Sequence, residues 1–301
     1  MITRCVLLTI LAIQTSTLPS QVTPQVVTDL EGYSEGIVFD GEGAGYVSLV
    51  HRHGVYRIWA KDKPTKWYAA AEPNGHKILS DGSHLVAARG GVHHIAPDGR
   101  RMEILAPTVP TPNDLALDGD GGFYVSAPAP SEKDQQAKRS GVYYLGLKRP
   151  SQLVADGLCY PNGIVVRPDG RALLVNDSCT RQIFEYQISS PGTVTNRRVF
   201  AELPDSKSLP DGMTIDQSGR VWVADYGTGV VAVFDARGTL LHQFATGLQH
   251  PSNVAFGGSS LRELYVTGSP GAEEGTGRLV VLPVGITGRD SRATPSSITG
   301  R

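Results

Sequence analysis

Residues 208–235 read SLPDGMTIDQSGRVWVADYGTGVVAVFD. Three short apolar runs, opening at Met213, Val221 and Val230, are separated by Asp- and Gly-containing turn signals, the pattern of successive β-strands. Asp211 stands just before the first run, between Pro210 and Gly212. A carboxylate at the mouth of a strand that otherwise reads as fully buried needs a reason. The position recurs along the chain. YSEGIVFDGEG places Glu35 there, TPNDLALD places Asn113 and YPNGIVVRPDG places Asn162. Asn74 (EPNGHKIL) and Asn253 (HPSNVAF) hold similar places.

Around these positions a unit repeats: apolar strand, DG-type turn, alternating strand, short glycine loop, third strand. The second strands open near Tyr46, His84, Phe123, Ala172, Val221 and Leu264, about 38 to 50 residues apart. That is the period of four-stranded propeller blades. No long stretch holds a 3.6-residue apolar period between caps, so helix signals are weak. Six units fill the chain after its N-terminal segment. The prediction is an all-β, six-bladed β-propeller forming one domain over residues 23–301. The segment around 26–30 is expected to supply the outer strand of the last blade and close the ring.

The balance of 28 basic and 29 acidic residues gives no electrostatic footprint for nucleic acid or an anionic membrane, and a monomer is expected. Residues 1–22 are expected to be a signal peptide or a disordered N-terminus. One arginine precedes an apolar run from Cys5 to Ile13, too short to span a bilayer and without a clean small-x-small cleavage site. This predicts a secreted or periplasmic protein, or a cytoplasmic one if the segment is not a signal. Cys5 would leave with the signal. Cys159 and Cys179 flank the hairpin IVVRPDGRALLV, whose regular register makes them near-diagonal neighbours within disulfide reach. A bond is expected on export, with two buried thiols as the alternative.

In a propeller the N-terminal ends of the innermost strands gather at one face. Glu35, Asn113, Asn162 and Asp211 therefore converge at the channel mouth although distant in sequence. All four offer oxygen, a donor set suited to a hard divalent cation, with Ca²⁺ expected and Mg²⁺, Mn²⁺ or Zn²⁺ as alternatives. No thiolate or imidazole stands at these positions, which argues against zinc or copper. The competing account is that Asn and Asp before strands only form turns. Two uncompensated acids in a channel are costly, and a cation removes that cost.

YSEGIVFDGEG, PNDLALDGDGGFYVS, YPNGIVVRPDGRALLV, LPDGMTIDQSGRVWVADY and VAFGGSSLRELYVT together resemble the regucalcin/gluconolactonase family of six-bladed propeller lactonases, from about residue 28 to 285. The resemblance implies metal ligands at Glu35, Asn162 and Asp211. It gives Asn113 a role toward metal or substrate, with Asp114 beside it. Asn74, Asn113 and Asp114 are the candidate substrate-binding residues. Two departures weigh against a sugar-acid lactone: Thr111 stands where sugar-lactone members often carry arginine, and the second strand of the first blade ends SLVHRHG.

That strand returns to the same face, so His51 and His53 are expected near the pocket. His51 is a candidate for proton transfer beside Asp211, two loop histidines being the alternative. Arg89, Asp177, Asp225 and Tyr226 are expected at the rim. His76, His93 and His94 lack the spacing of a metal triad and are read as surface or packing residues. The functional expectation is a metal-dependent hydrolase acting on a small-molecule lactone or ester. The alternatives are a non-enzymatic propeller scaffold and a metal-free strictosidine-synthase-like propeller with a single glutamate.

Overall fold

The computed structural model describes residues 17–58, 62–146, 150–272 and 275–290. These form six four-stranded antiparallel sheets, five built from four consecutive strands and the sixth from the last three strands together with the first. The innermost strands are Ser34–Phe39, His76–Ile78, Leu115–Leu117, Pro161–Val166, Pro210–Ile215 and His250–Gly257. The six-bladed propeller expected from the repeat is the fold. The one α-helix among the described residues, Glu132–Gln136, is an insertion in the third blade.

The DG-type turns have a shared mechanism. Asp40 accepts the backbone N–H groups of Glu42 and Ala44, both at 2.9 Å. Asp118 does the same for Asp120 and Gly122, and Asp216 for Ser218 and Arg220. A short carboxylate thus replaces missing backbone partners and reverses the chain tightly.

Apolar faces of neighbouring blades pack on one another. Trp222, Val231 and Phe244 of the fifth blade meet Phe256, Val266 and Leu282 of the sixth. Equivalent clusters lie between every other adjacent pair. Trp222 is fully buried, and truncating such a residue to alanine typically costs roughly 3–5 kcal/mol.

The ring closes as anticipated. Strand Gln25–Leu30 pairs with Gly277–Leu282, the third strand of the last blade, with Leu30 opposite Gly277. The expected signal peptide lies largely outside the described residues. Leu18 and Val22, within the segment assigned to it, pack against the cluster between blades five and six. Ordered packing therefore begins before residue 23. At the far end of the channel Gln217 donates to the Thr287 carbonyl at 3.1 Å and Arg289 to that of Ile215 at 3.3 Å. This strap leaves the site at the opposite mouth.

Candidate metal and substrate pocket

The innermost strands do not enter the ring regularly. Register shifts fall between Ser34 and Ile37, between Pro161 and Ile164, and between Pro210 and Met213. Glu35, Asn162 and Asp211 are the residues inside these bulges. A bulge bends the strand and re-aims a side chain, here toward a pocket on the propeller axis. The small residue that follows lets adjacent blades meet: a Cβ on Gly212 would lie 2.4 Å from the Asn253 side chain.

The pocket has a volume of about 430 Å³ and is lined by Glu35, Asn74, Asn113, Asn162 and Asp211, together with His51 and Tyr226. Tyr33, Val50, Tyr160, Ser178, Cys179 and Leu209 complete the wall. All four expected ligand residues are thus brought together. Glu35, Asn113, Asn162 and Asp211 are all buried. One oxygen each of Glu35 (Oε2), Asn113 (Oδ1) and Asp211 (Oδ1) is buried without a hydrogen-bond partner. The other Glu35 oxygen accepts from the Tyr33 hydroxyl at 3.0 Å.

Electrostatics are adverse to the two acids. Burial pushes the Glu35 carboxyl up to about 8, opposed by the Tyr33 hydrogen bond and reinforced by Asp114. Burial, then the charges of Glu35 and Asp114, hold Asp211 well above the ordinary carboxylate range. Burial, then the charges of Glu35 and Asp211, raise the Tyr33 phenol, which stays a neutral donor. The unpartnered oxygens and the strained acid pair fit a divalent cation. Among the described residues, the one group of three or more His, Cys, Asp and Glu ligand atoms within 4.8 Å is Cys159, Asp177 and Cys179. Both of its sulfurs are joined in a disulfide, so it is no competing metal site.

Other expected residues fall elsewhere. Asp114 does not line the pocket. It occupies the register position that Gly36, Gly163 and Gly212 hold in other blades, and its carboxylate turns beneath the floor. There it accepts from the Leu115 backbone at 2.7 Å and meets Lys77 Nζ at 3.3 Å. His53 also stands outside: it ends the short Val50–Arg52 3₁₀ turn with φ of 50°. Asp177 and Asp225 are not rim groups. Asp177 accepts from the backbones of Cys159 and Tyr160, and Asp225 accepts from Leu209 and the Ser208 hydroxyl. Each anchors the loop leading into the inner strand of its own blade. Arg89 is exposed and paired with Glu72. His76, His93 and His94 are buried. His76 meets His84 at 2.8 Å, His93 meets Tyr68 at 2.8 Å and His94 meets Ser83 at 3.0 Å.

The disulfide joins Cys159 and Cys179 with Cα atoms 5.9 Å apart. The bulge at Asn162 and Gly163 explains the difference from the near-diagonal expectation. Past it, Ser178 donates to the Tyr160 carbonyl, which brings the cysteines opposite one another. Sequence reading missed Tyr33 and Tyr160 as pocket residues. Their signal was available: each stands two residues before Glu35 or Asn162, as Leu209 does before Asp211.

A pentonolactonase from Haloferax volcanii is 31% identical over 230 residues, covering 71% of this chain and 77% of its own. The diisopropyl-fluorophosphatase of Loligo vulgaris is 30% identical over 272 residues, covering 77% and 84%. The crystal structure of a calcium-binding protein, regucalcin, from Agrobacterium tumefaciens superposes with a TM-score of 0.77 at 19% identity, covering 92% of this chain and 97% of that one. That likeness establishes the propeller. The family model described as the SMP-30/gluconolactonase/LRE-like region matches residues 33–269, a span that holds every acid and amide of the pocket, and the chain belongs to that family.

Proposed function

We propose that the protein is a hydrolase that opens the ring of a small-molecule lactone, assisted by one divalent cation. Glu35, Asn162 and Asp211 would hold the ion with Asn113, and Ca²⁺ suits their all-oxygen chemistry. The observation that carries this reading is the set of three buried, unpartnered oxygens on Glu35, Asn113 and Asp211. When bound, the cation supplies Lewis-acid polarisation of the carbonyl and charge stabilisation for the tetrahedral oxyanion. The related lactonases, including a 6-deoxy-6-sulfogluconolactonase at 28% identity, support ester hydrolysis as the reaction class.

The chain's own groups supply positioning and proton transfer. Tyr33 orients Glu35 through its hydroxyl. The Asn162 side chain and the Gly212 backbone hold Asp211. An oxygen of Asp211 not engaged with the ion, or His51 at the mouth, takes the proton of the attacking water. The new C–O bond forms, the ring C–O bond breaks, and the same base passes its proton to the departing ring oxygen, which becomes the hydroxyl of the product. The product is a hydroxy acid. The Cys159–Cys179 bond supports the further reading that the chain works in an oxidising compartment.

The test is turnover of a lactone panel after chelation and re-addition of Ca²⁺, Mg²⁺ or Mn²⁺, with Asp211→Ala and His51→Ala alongside. Cation-dependent turnover that collapses in Asp211→Ala is expected. A loss of about 10²–10⁴-fold in His51→Ala would assign it the base. No turnover with any cation would favour a binding propeller.

A further inference from the structure

The pocket wall above the acids carries its own chemical message. Three wall residues come from one register position, two before the site residue of a blade: Tyr33, Tyr160 and Leu209. The other three blades place Glu72, Thr111 and Pro251 there, so none of the six positions is basic. Val50, His51 and Tyr226 enter from the loops after second strands. No lysine or arginine lines the pocket among the described residues.

The aromatic side is a built arc. The ring of Tyr33 lies 6.1 Å from that of His51 and 6.5 Å from that of Tyr226. Behind it, His250 stacks on Tyr226 with centroids 4.5 Å apart, and His250 Nδ1 donates to the Tyr226 carbonyl at 3.0 Å. The Tyr33 hydroxyl already donates to Glu35, so what it offers a ligand is ring surface. Leu209 is 41% exposed beside this arc, a large apolar side chain at the mouth.

Such a wall rewards apolar surface and penalises unpaired polar groups. Each methylene removed from water strengthens binding about fourfold, from the usual transfer free energy. Each hydroxyl buried without a partner weakens it about tenfold or more. Beyond the one cation that the two acids would hold, a phosphate, sulfonate or second carboxylate would find no lysine or arginine in the lining to pair with. We infer that the preferred substrate is a neutral lactone with an aryl or alkyl substituent, rather than a polyhydroxylated or anionic sugar-acid lactone. This rests on the lactonase reading for its chemistry, while the wall argument concerns binding alone.

Two measurements separate these claims. First, kcat/KM is compared for γ-butyrolactone, its γ-butyl, γ-hexyl and γ-phenyl derivatives, and a pentono-γ-lactone. Second, calorimetry compares the unreactive γ-phenyl lactam with a polyhydroxylated lactam. The expected result is a rise of about fourfold per methylene until the pocket fills. The hexyl and phenyl lactones should exceed the sugar lactone by at least about 100-fold, from several unpaired hydroxyls, and the lactams should rank alike. A sugar lactone preferred in turnover, with the polyhydroxylated lactam bound as tightly as the phenyl one, overturns the inference and leaves the lactonase reading standing. If no lactone turns over, the lactams decide: tighter phenyl lactam binding upholds the apolar site, and the reverse ranking overturns it. In Leu209→Asn, whose exposed position does not threaten folding, KM for the hexyl lactone should rise about tenfold by loss of apolar contact. Its kcat should hold within about twofold, and an unchanged KM would overturn the wall assignment.

Discussion

Gly163 packs directly against Asp211: a Cβ on Gly163 would stand 2.3 Å from the Asp211 carbonyl oxygen and 2.8 Å from the Met213 nitrogen. Both atoms are backbone of the next blade, so no side chain can swing away. Gly163→Ala must push apart the inner strands that carry Asn162 and Asp211. The expected cost is roughly 1–3 kcal/mol of stability, as for overpacked cores. Cation affinity should fall at least about tenfold, since misplaced ligands lose geometry. Calorimetric titration with Ca²⁺ and thermal unfolding read the two effects. Wild-type values in both would show that the blades tolerate separation at the axis.

Asp211→Asn should separate stability from function. Removing one of two buried, mutually repelling carboxylates relieves a cost carried by the cation-free fold. The chelated variant should unfold at a higher temperature than the chelated wild type. It should gain little from added Ca²⁺ and turn over lactone poorly. A lower melting temperature in the chelated state would mean the carboxylate is structural rather than a ligand.

The pH dependence of the cation-free protein follows from Glu35. Its folded pKa of about 8 lies above the ordinary 4.5, so the folded state holds a proton that the unfolded chain releases. The stability this proton represents is fully present below about 4.5 and is lost as pH rises through 8. Buried His84, lowered to about 4, acts oppositely in the acid range. The Glu35 contribution is therefore read as the difference between wild type and Glu35→Gln in denaturant titrations with chelator. That difference should grow from pH 5 to 8 and shrink on adding Ca²⁺. A difference that stays flat with pH would refute the assignment.

Lys77 and Asp114 form a nearly buried ion pair beneath the pocket, with side chains 19% and 2% exposed. Lys77→Met should cost roughly 3–5 kcal/mol, because it leaves a buried carboxylate uncompensated. The double variant with Asp114→Asn should recover most of that loss. Additive single effects in the cycle would show that the pair is not coupled.

The Cys159–Cys179 bond ties the segment carrying Tyr160 and Asn162 to the loop carrying Ser178. Cys179→Ser should destabilise by roughly 3 kcal/mol, the chain-entropy value for a loop of this length. Thiol titration of unreduced, denatured protein covering residues 17–290 should find no free thiol. Two thiols would contradict the pairing.

The strand count, the closing strand and the four oxygen donors were legible because they depend on repetition. A turn Asp such as Asp40 or Asp216 acts through its own next few backbone groups, so short sequence windows carry the message. The bulges were not legible. Nothing in PNG or PDG says that Asn162 and Asp211 occupy an extra residue in the ladder, since a bulge is a relation between two strands. The misplacement of Asp177 and Asp225 has a similar origin. Strand counting puts both at the correct face, but their carboxylates turn back onto the N–H groups of preceding loops. Asp114 was misread because its neighbour Asn113 faces the pocket while its own side chain faces the channel below.

The strand Gln25–Leu30 finds its partner only at Gly277–Leu282, some 250 positions later. Synthesis runs from the N-terminus, so this first strand must wait as an unpaired edge while five blades emerge. Contacts so distant in sequence make ring closure a late and slow event. Until then both ends of the open ring expose backbone donors and acceptors to other chains. A variant with a proline at Thr28 or Val280 would prolong that window, yielding open rings prone to edge-to-edge association.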